Sequence, residues 1–469
     1  MKKMKIALIG AGSVSFAIGA LHDIILSERL QNNVHLDIML MDIEEVNLNR
    51  TYTYAIEMFK DFKSNNTLGK TLNLELAITK ADFVITAIEV KRYHYWAQDF
   101  HIPRLYGSKQ IYGENGGPGS MFHTLRNLSP MLEIAKTMEK CCPDAWLLNY
   151  TNPEAKLVEA ICKYTKIKVV GLCHGLQMGI NQVSEFLEIN KDDIEVEGGG
   201  LNHFGWFTKI YNKKTGEDLY PLFKKKEKEA CTLAQFDHYG LSRAMFNLYG
   251  MYPYPGTNHC GEYVGYSDDF YCGLSLLYRY NPLEDTPYKS KNGNDLQFVY
   301  NASGNHLDKG LFDHRKGEFN EEIAQDMWNE ESYIYNKEKV KCSGEYAIPI
   351  IESIFFKEKY HLKAVNMQNK GAIKGLPDDM VVETQGVVDG DGIHLIPMSV
   401  ELPTAVIGMI NIQGSIHKLI LEAYEESSKN KLLQAILLDP QAPTYYQGAA
   451  MIDHMCQLQK DILPALEWK

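Results

Sequence analysis

No apolar run in this 469-residue sequence approaches eighteen residues, so no segment reads as a membrane-spanning helix. The nine cysteines are odd in number and irregularly spaced, which excludes a disulfide framework; a reducing, cytoplasmic setting is expected. Positive charge is in deficit: 48 Lys and Arg stand against 60 Asp and Glu, a net charge of -12. That argues against nucleic acid and anionic membrane as general partners, although local basic pockets remain open. No internal repeat or low-complexity tract is present. The basic start Met1-Lys2-Lys3-Met4-Lys5 is followed by an apolar run that stops at Gly10-Ala11-Gly12, with no small-residue cleavage pattern after it. It reads as a β-strand rather than a leader.

What remains is an ordinary globular composition, 45% hydrophobic and 23% charged, long enough for two or three domains or one large two-part enzyme. Short apolar runs at Lys5–Ile9, Leu36–Met41, Leu72–Leu76, Phe83–Ala87, Ala145–Leu148 and Val169–Leu172 read as strands. They alternate with longer amphipathic stretches, among them Ser13–Leu26 and Ile43–Phe62. This alternation predicts an α/β fold: a Rossmann-type, doubly wound parallel sheet over residues 1–195, with ligands at the strand ends. Beyond about residue 195 the pattern changes. Glu195–Gly205 reads as a turn followed by a strand, and Lys224–Glu229 as a charge run on an exposed helix. Tyr239–Phe270 reads as an irregular tyrosine-rich binding segment, and the chain from Ile407 as helices broken at Asp439-Pro440. A second, α+β domain over residues 196–469 is expected to carry substrate and metal.

The run Ile6-Ala7-Leu8-Ile9-Gly10-Ala11-Gly12-Ser13 is strand, glycine turn, then helix. Gly10 permits the tight turn and Gly12 lets the backbone approach a pyrophosphate. The helix start, from Ser13, offers N–H groups to its charge. Ser15 replaces the third glycine of the usual pattern. Asp42 ends the second strand, where a carboxylate accepts from a ribose diol and repels a 2′-phosphate, so NAD is the expected cofactor. The other reading of Asp42 is a loop carboxylate after a core strand.

Cys173 ends the apolar run Val169–Leu172, and His203 follows Gly200-Leu201-Asn202. Alone, each is more often a core residue. Together, at strand ends of an NAD domain, they form a two-ligand site for a divalent metal with positions left open. Asn149 and Asn152, in Asn149-Tyr150-Thr151-Asn152-Pro153, read either as a turn or as amides aimed into the cleft. Tyr263 is a base only if a cation lowers its pKa, and otherwise packs.

With these residues the chain resembles glycoside hydrolase family 4. The resemblance is carried by Gly10 and Gly12, Ile102–Gly107, Asn152-Pro153, Cys173-His174, Asn202-His203, Glu262-Tyr263 and Asn366–Pro377. It implies a glycosidase requiring NAD and a divalent metal, with Mn²⁺ expected. NAD takes hydride from C3 of the sugar, and Tyr263 removes the acidified C2 proton. Cys173 and His203 hold the metal that grips the C2 and C3 oxygens. The leaving group departs, water adds, and the hydride returns. The residue after the metal cysteine, His174, is the implied proton donor. Cys173-His174-Gly175 looks most like α-galacturonidases or α-glucuronidases, with α-galactosidases and α-glucosidases of the same family as alternatives. Lys91, Arg92 and His94 are the candidate uronate contacts. A homodimer or homotetramer acting on a glycoside or oligosaccharide is implied. The rival of another class is an NAD-dependent dehydrogenase of the lactate/malate type, which shares the cofactor fold and needs no metal.

Overall fold

The computed structural model describes residues 2–13, 16–90, 92–229, 239–270, 312–313, 318–319 and 333–469. Six strands form the parallel half: β1 (Lys2–Ile9), β2 (Val34–Met41), β3 (Thr67–Thr71), β4 (Phe83–Thr86), β5 (Trp146–Asn149) and β6 (Lys168–Gly171). They lie in the order β3-β2-β1-β4-β5-β6, every neighbouring pair parallel. This is the doubly wound arrangement, with its reversal of strand order between β1 and β4. Phe83 to Thr86 are buried on both faces, which is why β4 reads as an unbroken apolar run rather than an alternation.

The strand expected at Leu72–Leu76 is displaced. The strand is Thr67–Thr71, and Leu74–Ile78 is a short helix. Asn73 decides this, its side chain capping the helix by accepting the Leu76 N–H at 2.8 Å. The first helix begins at Ala17 rather than Ser13.

The sheet does not stop at β6. Strand β12 (Tyr360–Gln368) pairs antiparallel with it through Asn366 and Gly171, and β13 (Val381–Asp389) follows. Then come β7 (Ile194–Leu201), β8 (Phe204–Asn212) and β9 (Tyr252–Pro253), with β14 (Gly392–Leu395) beside β13. The result is one twelve-stranded sheet, parallel on one side and antiparallel on the other. A separate hairpin joins β10 (Phe312–Asp313) to β11 (Glu318–Phe319).

Glu195–Gly205, expected to be a turn followed by a strand, is instead nearly all of β7, a turn at Asn202-His203 and the start of β8. The glycines 198–200 sit inside β7 because neighbouring strands close on them. A Cβ on Gly198 would fall 2.5 Å from the Trp206 carbonyl oxygen, and one on Gly199 would fall 2.8 Å from that of Glu383. Tyr239–Phe270, expected to be irregular, contains helices at Gly240–Tyr249 and Thr257–Cys260.

Three C-terminal helices, Thr404–Glu426, Lys429–Leu438 and Tyr445–Leu458, pack back on the parallel half. One apolar cluster joins Ala7, Val84 and Leu147 to Phe122, Ile410, Leu432 and Met451. Thr404–Glu426 is long and apolar enough to cross a membrane, yet it buries Gln413 and pairs buried His417 with Glu159 at 3.1 Å. Here it packs one face, including Val406, Ile410, Ile416 and Ile420, into the core. The tie at its neighbour is ionic. Fully buried Arg126 donates to both oxygens of Asp99 at 3.2 and 2.6 Å and to Gln459 at 2.9 Å. Removing one partner of such a pair costs roughly 3–5 kcal/mol.

Candidate active site

At the end of β1 the backbone turns through Gly10 at φ +84°, and Gly10 and Ala11 both donate to the Met41 carbonyl at 3.0 Å. A Cβ on Gly10 would sit 2.3 Å from the Ala87 carbonyl oxygen, so only glycine fits. Asp42 Oδ2 accepts the Gly12 N–H at 2.7 Å and Oδ1 the Glu44 N–H at 2.9 Å. The carboxylate expected to meet a ribose thus also clamps the glycine turn to the end of β2. Ser13 donates its N–H to the Gly10 carbonyl; Ser15 lies outside the described residues. From far along the chain, Tyr333 donates its hydroxyl to the Gly12 carbonyl at 2.8 Å.

Beside this turn lies a cavity of about 240 Å³, lined by Gly10, Ala11, Phe16, Tyr150, His174 and Glu345 among others. It is smaller than the roughly 300–1,000 Å³ of a complete small-molecule site. It is large enough for one part of a dinucleotide and not for the whole of it. The bare glycine cradle and this adjoining cavity fit the expected cofactor.

Cys173 follows β6, and its Sγ accepts the Gly175 N–H at 3.4 Å. Burial, then the nearby Glu383 carboxylate, pushes its thiol well above the usual range, with the Asn202 amide as a neighbour. His203 occupies the turn between β7 and β8 in the left-handed region, at φ +64°. Burial pushes its pKa down to about 4, leaving the ring neutral at physiological pH. Its Nε2 has no hydrogen-bond partner among the described residues.

Asn202 links the two. It is adjacent to His203 in sequence and beside the Cys173 thiol in space, and its Oδ1 is buried without a partner. Among the described residues no cluster of three or more His, Cys, Asp and Glu side chains forms a cage. One thiol, one neutral imidazole and an unpartnered amide oxygen make an incomplete, mixed donor set. That fits a divalent ion which keeps positions for substrate oxygens.

Tyr263 is buried under the same turn and donates to the Asn202 carbonyl at 3.0 Å and the Asn115 carbonyl at 3.3 Å. Burial, then the charge of Glu262, holds its hydroxyl well above the ordinary value. Glu262 itself is enclosed. Its Oε1 accepts the N–H groups of Glu114, Asn115 and Gly116 at 2.6, 2.8 and 3.1 Å. Buried Lys156 lies close by, donating to the Asn115 carbonyl at 2.5 Å. His259 places its ring centroid 4.0 Å from that of His203.

The remaining expected residues divide. His174 stands at the N-cap position of the helix Gly175–Leu187 without a capping side-chain bond, lines the cavity beside Gly10, and has its pKa raised by Glu345, whose Oε1 is 3.7 Å from Nδ1. Asn149 is committed internally. Its Oδ1 accepts from Thr86 Oγ1 and the Thr151 N–H at 3.0 Å, and its Nδ2 donates to the Thr151 carbonyl. Asn152, joined to Pro153 by a cis peptide, accepts from Asn127 through its carbonyl, while its side-chain amide has no bond among the described residues. Arg92 is held by two carboxylates, Glu89 and Glu114, the second at 2.7 Å. Lys91 and the side chain of His94 lie outside the described residues.

Several buried groups at this site carry no local sequence signal. Glu383, on β13, accepts from Tyr254 at 2.5 Å, from Asn366 at 3.1 Å and from Asn202 at 3.4 Å. Glu154 is fully buried with neither oxygen partnered, and burial raises its pKa well above the carboxylate range. A Cβ on Gly171 would fall 1.1 Å from its Oε1, so the glycine at the end of β6 makes room for it. Strand pairing brings Asn366 and Glu383 to Cys173, and Glu154 reaches it from the first turn of the helix Glu154–Tyr164.

Residues 5–189 match the family described as family 4 glycosyl hydrolase, and residues 199–442 match its C-terminal domain. An α-glucosidase of Erwinia rhapontici is 31% identical over 447 residues, covering 93% of each chain. An α-galactosidase of Bacillus subtilis (strain 168) is 30% identical over 438 residues, again covering 93% of each. A 6-phospho-α-glucosidase from gut microorganisms, solved in complex with NAD and Mn²⁺, shares the fold with a TM-score of 0.75. Its identity is 23%, over 99% of this chain and 100% of that one.

Proposed function

This chain belongs to family 4 of the glycosyl hydrolases, and on that premise we propose that it cleaves neutral α-linked hexosides by a redox-assisted elimination. The family stands outside the two-carboxylate scheme of most glycosidases. The observation that carries the reading is the convergence of Cys173, Asn202 and His203 at the strand ends, next to the cavity shared by Gly10 and His174. A lactate/malate-type dehydrogenase would have no use for that thiol–imidazole pair.

Gly10, Gly12, Ser13 and Asp42 would hold NAD, and Cys173 and His203 would hold the metal. When bound, NAD supplies an acceptor for the C3 hydride and returns it, while the divalent ion supplies Lewis acidity at the C2 and C3 oxygens. Tyr263 is the proposed base for the C2 proton. Burial and Glu262 oppose its ionisation, so it needs a positive charge beside it to work. His174, whose pKa is raised by Glu345, is the proposed donor to the departing oxygen. Asn152 offers a side-chain amide for a sugar hydroxyl, and Asn149 supports the loop that presents it.

Two features favour a neutral sugar. The guanidinium expected to meet a uronate, that of Arg92, is paired with Glu89 and Glu114. The relatives at 31% and 30% identity are named for neutral sugars. The second reading, an α-galacturonide or α-glucuronide, is favoured by Cys173-His174-Gly175.

Release of p-nitrophenol from α-glucosides, α-galactosides and α-uronides, with NAD, Mn²⁺ and a reductant, tests both. Turnover of the neutral glycosides supports the first reading, and turnover confined to the uronides replaces it with the second. Stoichiometric NADH without release would reject both.

A further inference from the structure

His203 Nδ1 faces two groups with opposite demands. Asn115 Nδ2, at 3.1 Å, is a donor and needs a lone pair on Nδ1. Glu262 Oε2, at 3.4 Å, is solely an acceptor when the carboxylate is ionised, a form that burial disfavours and the N–H groups of residues 114–116 and Lys156 favour, and it then needs a hydrogen there. A neutral imidazole carries one N–H, so the two bonds are alternatives. When Nδ1 accepts from Asn115, Nε2 carries the hydrogen and offers no lone pair to a metal. When Nδ1 donates to Glu262, Nε2 is free to ligate.

Neither neighbour can step aside. The Asn115 amide is oriented by its Oδ1, which accepts the Glu154 N–H at 3.2 Å. Glu262 is pinned through Oε1 by the three N–H groups of residues 114–116. The loop Glu114–Gly116 thereby carries one group of the pair and anchors the other. A Cβ on Gly116 would fall 2.5 Å from the Glu262 carbonyl oxygen, so the loop can lie this close only as glycine. His203 is confined by its left-handed backbone and by the His259 ring.

We propose that Glu262 is the positioning residue that selects the metal-binding tautomer of His203, with Asn115 holding the opposite tautomer in the metal-free protein. The inference rests on His203 as a metal ligand.

The test is Mn²⁺ affinity, read by the electron paramagnetic resonance signal of free Mn²⁺, on the full-length chain and its variants. It is paired with ¹⁵N spectra of histidine in the metal-free protein. Glu262→Gln should weaken Mn²⁺ binding about 10–100-fold, with NAD binding retained and affinity largely restored in Glu262→Asp. Asn115→Ala should bind Mn²⁺ at least as tightly as the wild type, and its His203 resonance should move from the Nε2–H to the Nδ1–H form. Wild-type affinity in Glu262→Gln, with affinity lost in His203→Ala, would overturn the proposal alone. Unchanged affinity in His203→Ala would overturn the ligand reading and the proposal with it. Should Glu262→Gln fail to fold, an Asn115→Ala spectrum identical to the wild type overturns the tautomer selection by itself.

Discussion

The two halves of the site are built by different means. The glycine-turn end is built chiefly on backbone from two neighbouring strand ends, with Tyr333 reaching it from far along the chain. Gly10, Ala11 and Gly12 follow one strand, and Asp42 ends the next and clamps them. The Cys173–His203 end is made of side chains from five separate segments: residues 115, 173, 202–203, 262–263 and 383. A backbone cradle tolerates almost nothing at its glycines and much elsewhere. A side-chain site depends on buried groups that hold each other, so damage there should appear in chemistry before it appears in folding.

Tyr263→Phe should give the largest effect. Removing a general base lowers the rate by roughly 10²–10⁴-fold. Exchange of the C2 proton with solvent deuterium should collapse while NAD binding stays close to wild type, and loss of the hydroxyl's bonds to the Asn202 and Asn115 carbonyls should lower stability by about 1–3 kcal/mol. Near-normal exchange would remove Tyr263 from its role.

Gly10→Ala should do the reverse. Its φ of +84° and the 2.3 Å approach to the Ala87 carbonyl predict a loss of about 2–5 kcal/mol by urea unfolding, together with NAD affinity. An alanine variant of wild-type stability would break the contrast.

A smaller effect concerns Glu89, which pairs with Arg92 and faces His123. Burial opposes its charge, but Arg92, His123 and Arg126 hold its pKa at about 2 instead of 4.5. A carboxylate lowered by folding stabilises above its unfolded pKa. Its contribution, on the order of 3 kcal/mol, is lost as pH falls from about 5 toward 2. Glu89→Gln should be less stable at pH 6 and lose less on acidification. An acid slope equal to wild type would show that other carboxylates carry it.

The same contrast explains what the sequence could reveal. Strand, glycine turn and Asp42 are local, so that turn and its place at the end of β1 were legible residue by residue. Cys173 and His203 stood out in the sequence because each follows an apolar run and opens a polar turn, and the fold sets Asn202, the neighbour of His203, beside the Cys173 thiol. Leu72–Leu76 was misread because five mostly apolar residues fit a strand or a helix, and only the Asn73 cap settles it. Strands β12 to β14 went unseen, and with them the antiparallel pairing that carries Asn366 and Glu383 to Cys173. Arg92 stood at a strand end like any substrate contact, and only the fold shows Glu114 reaching it from twenty-two residues away.

The central claim is that oxidation here is a means of breaking a glycosidic bond. Hydrolysis of a p-nitrophenyl α-glycoside in D₂O, with NAD far below substrate, tests it most directly. Redox-assisted elimination predicts many sugars released per NAD, no accumulation of NADH, and deuterium at C2 of the released sugar. Sugar released without deuterium at C2, or one NADH formed per substrate consumed, would contradict it.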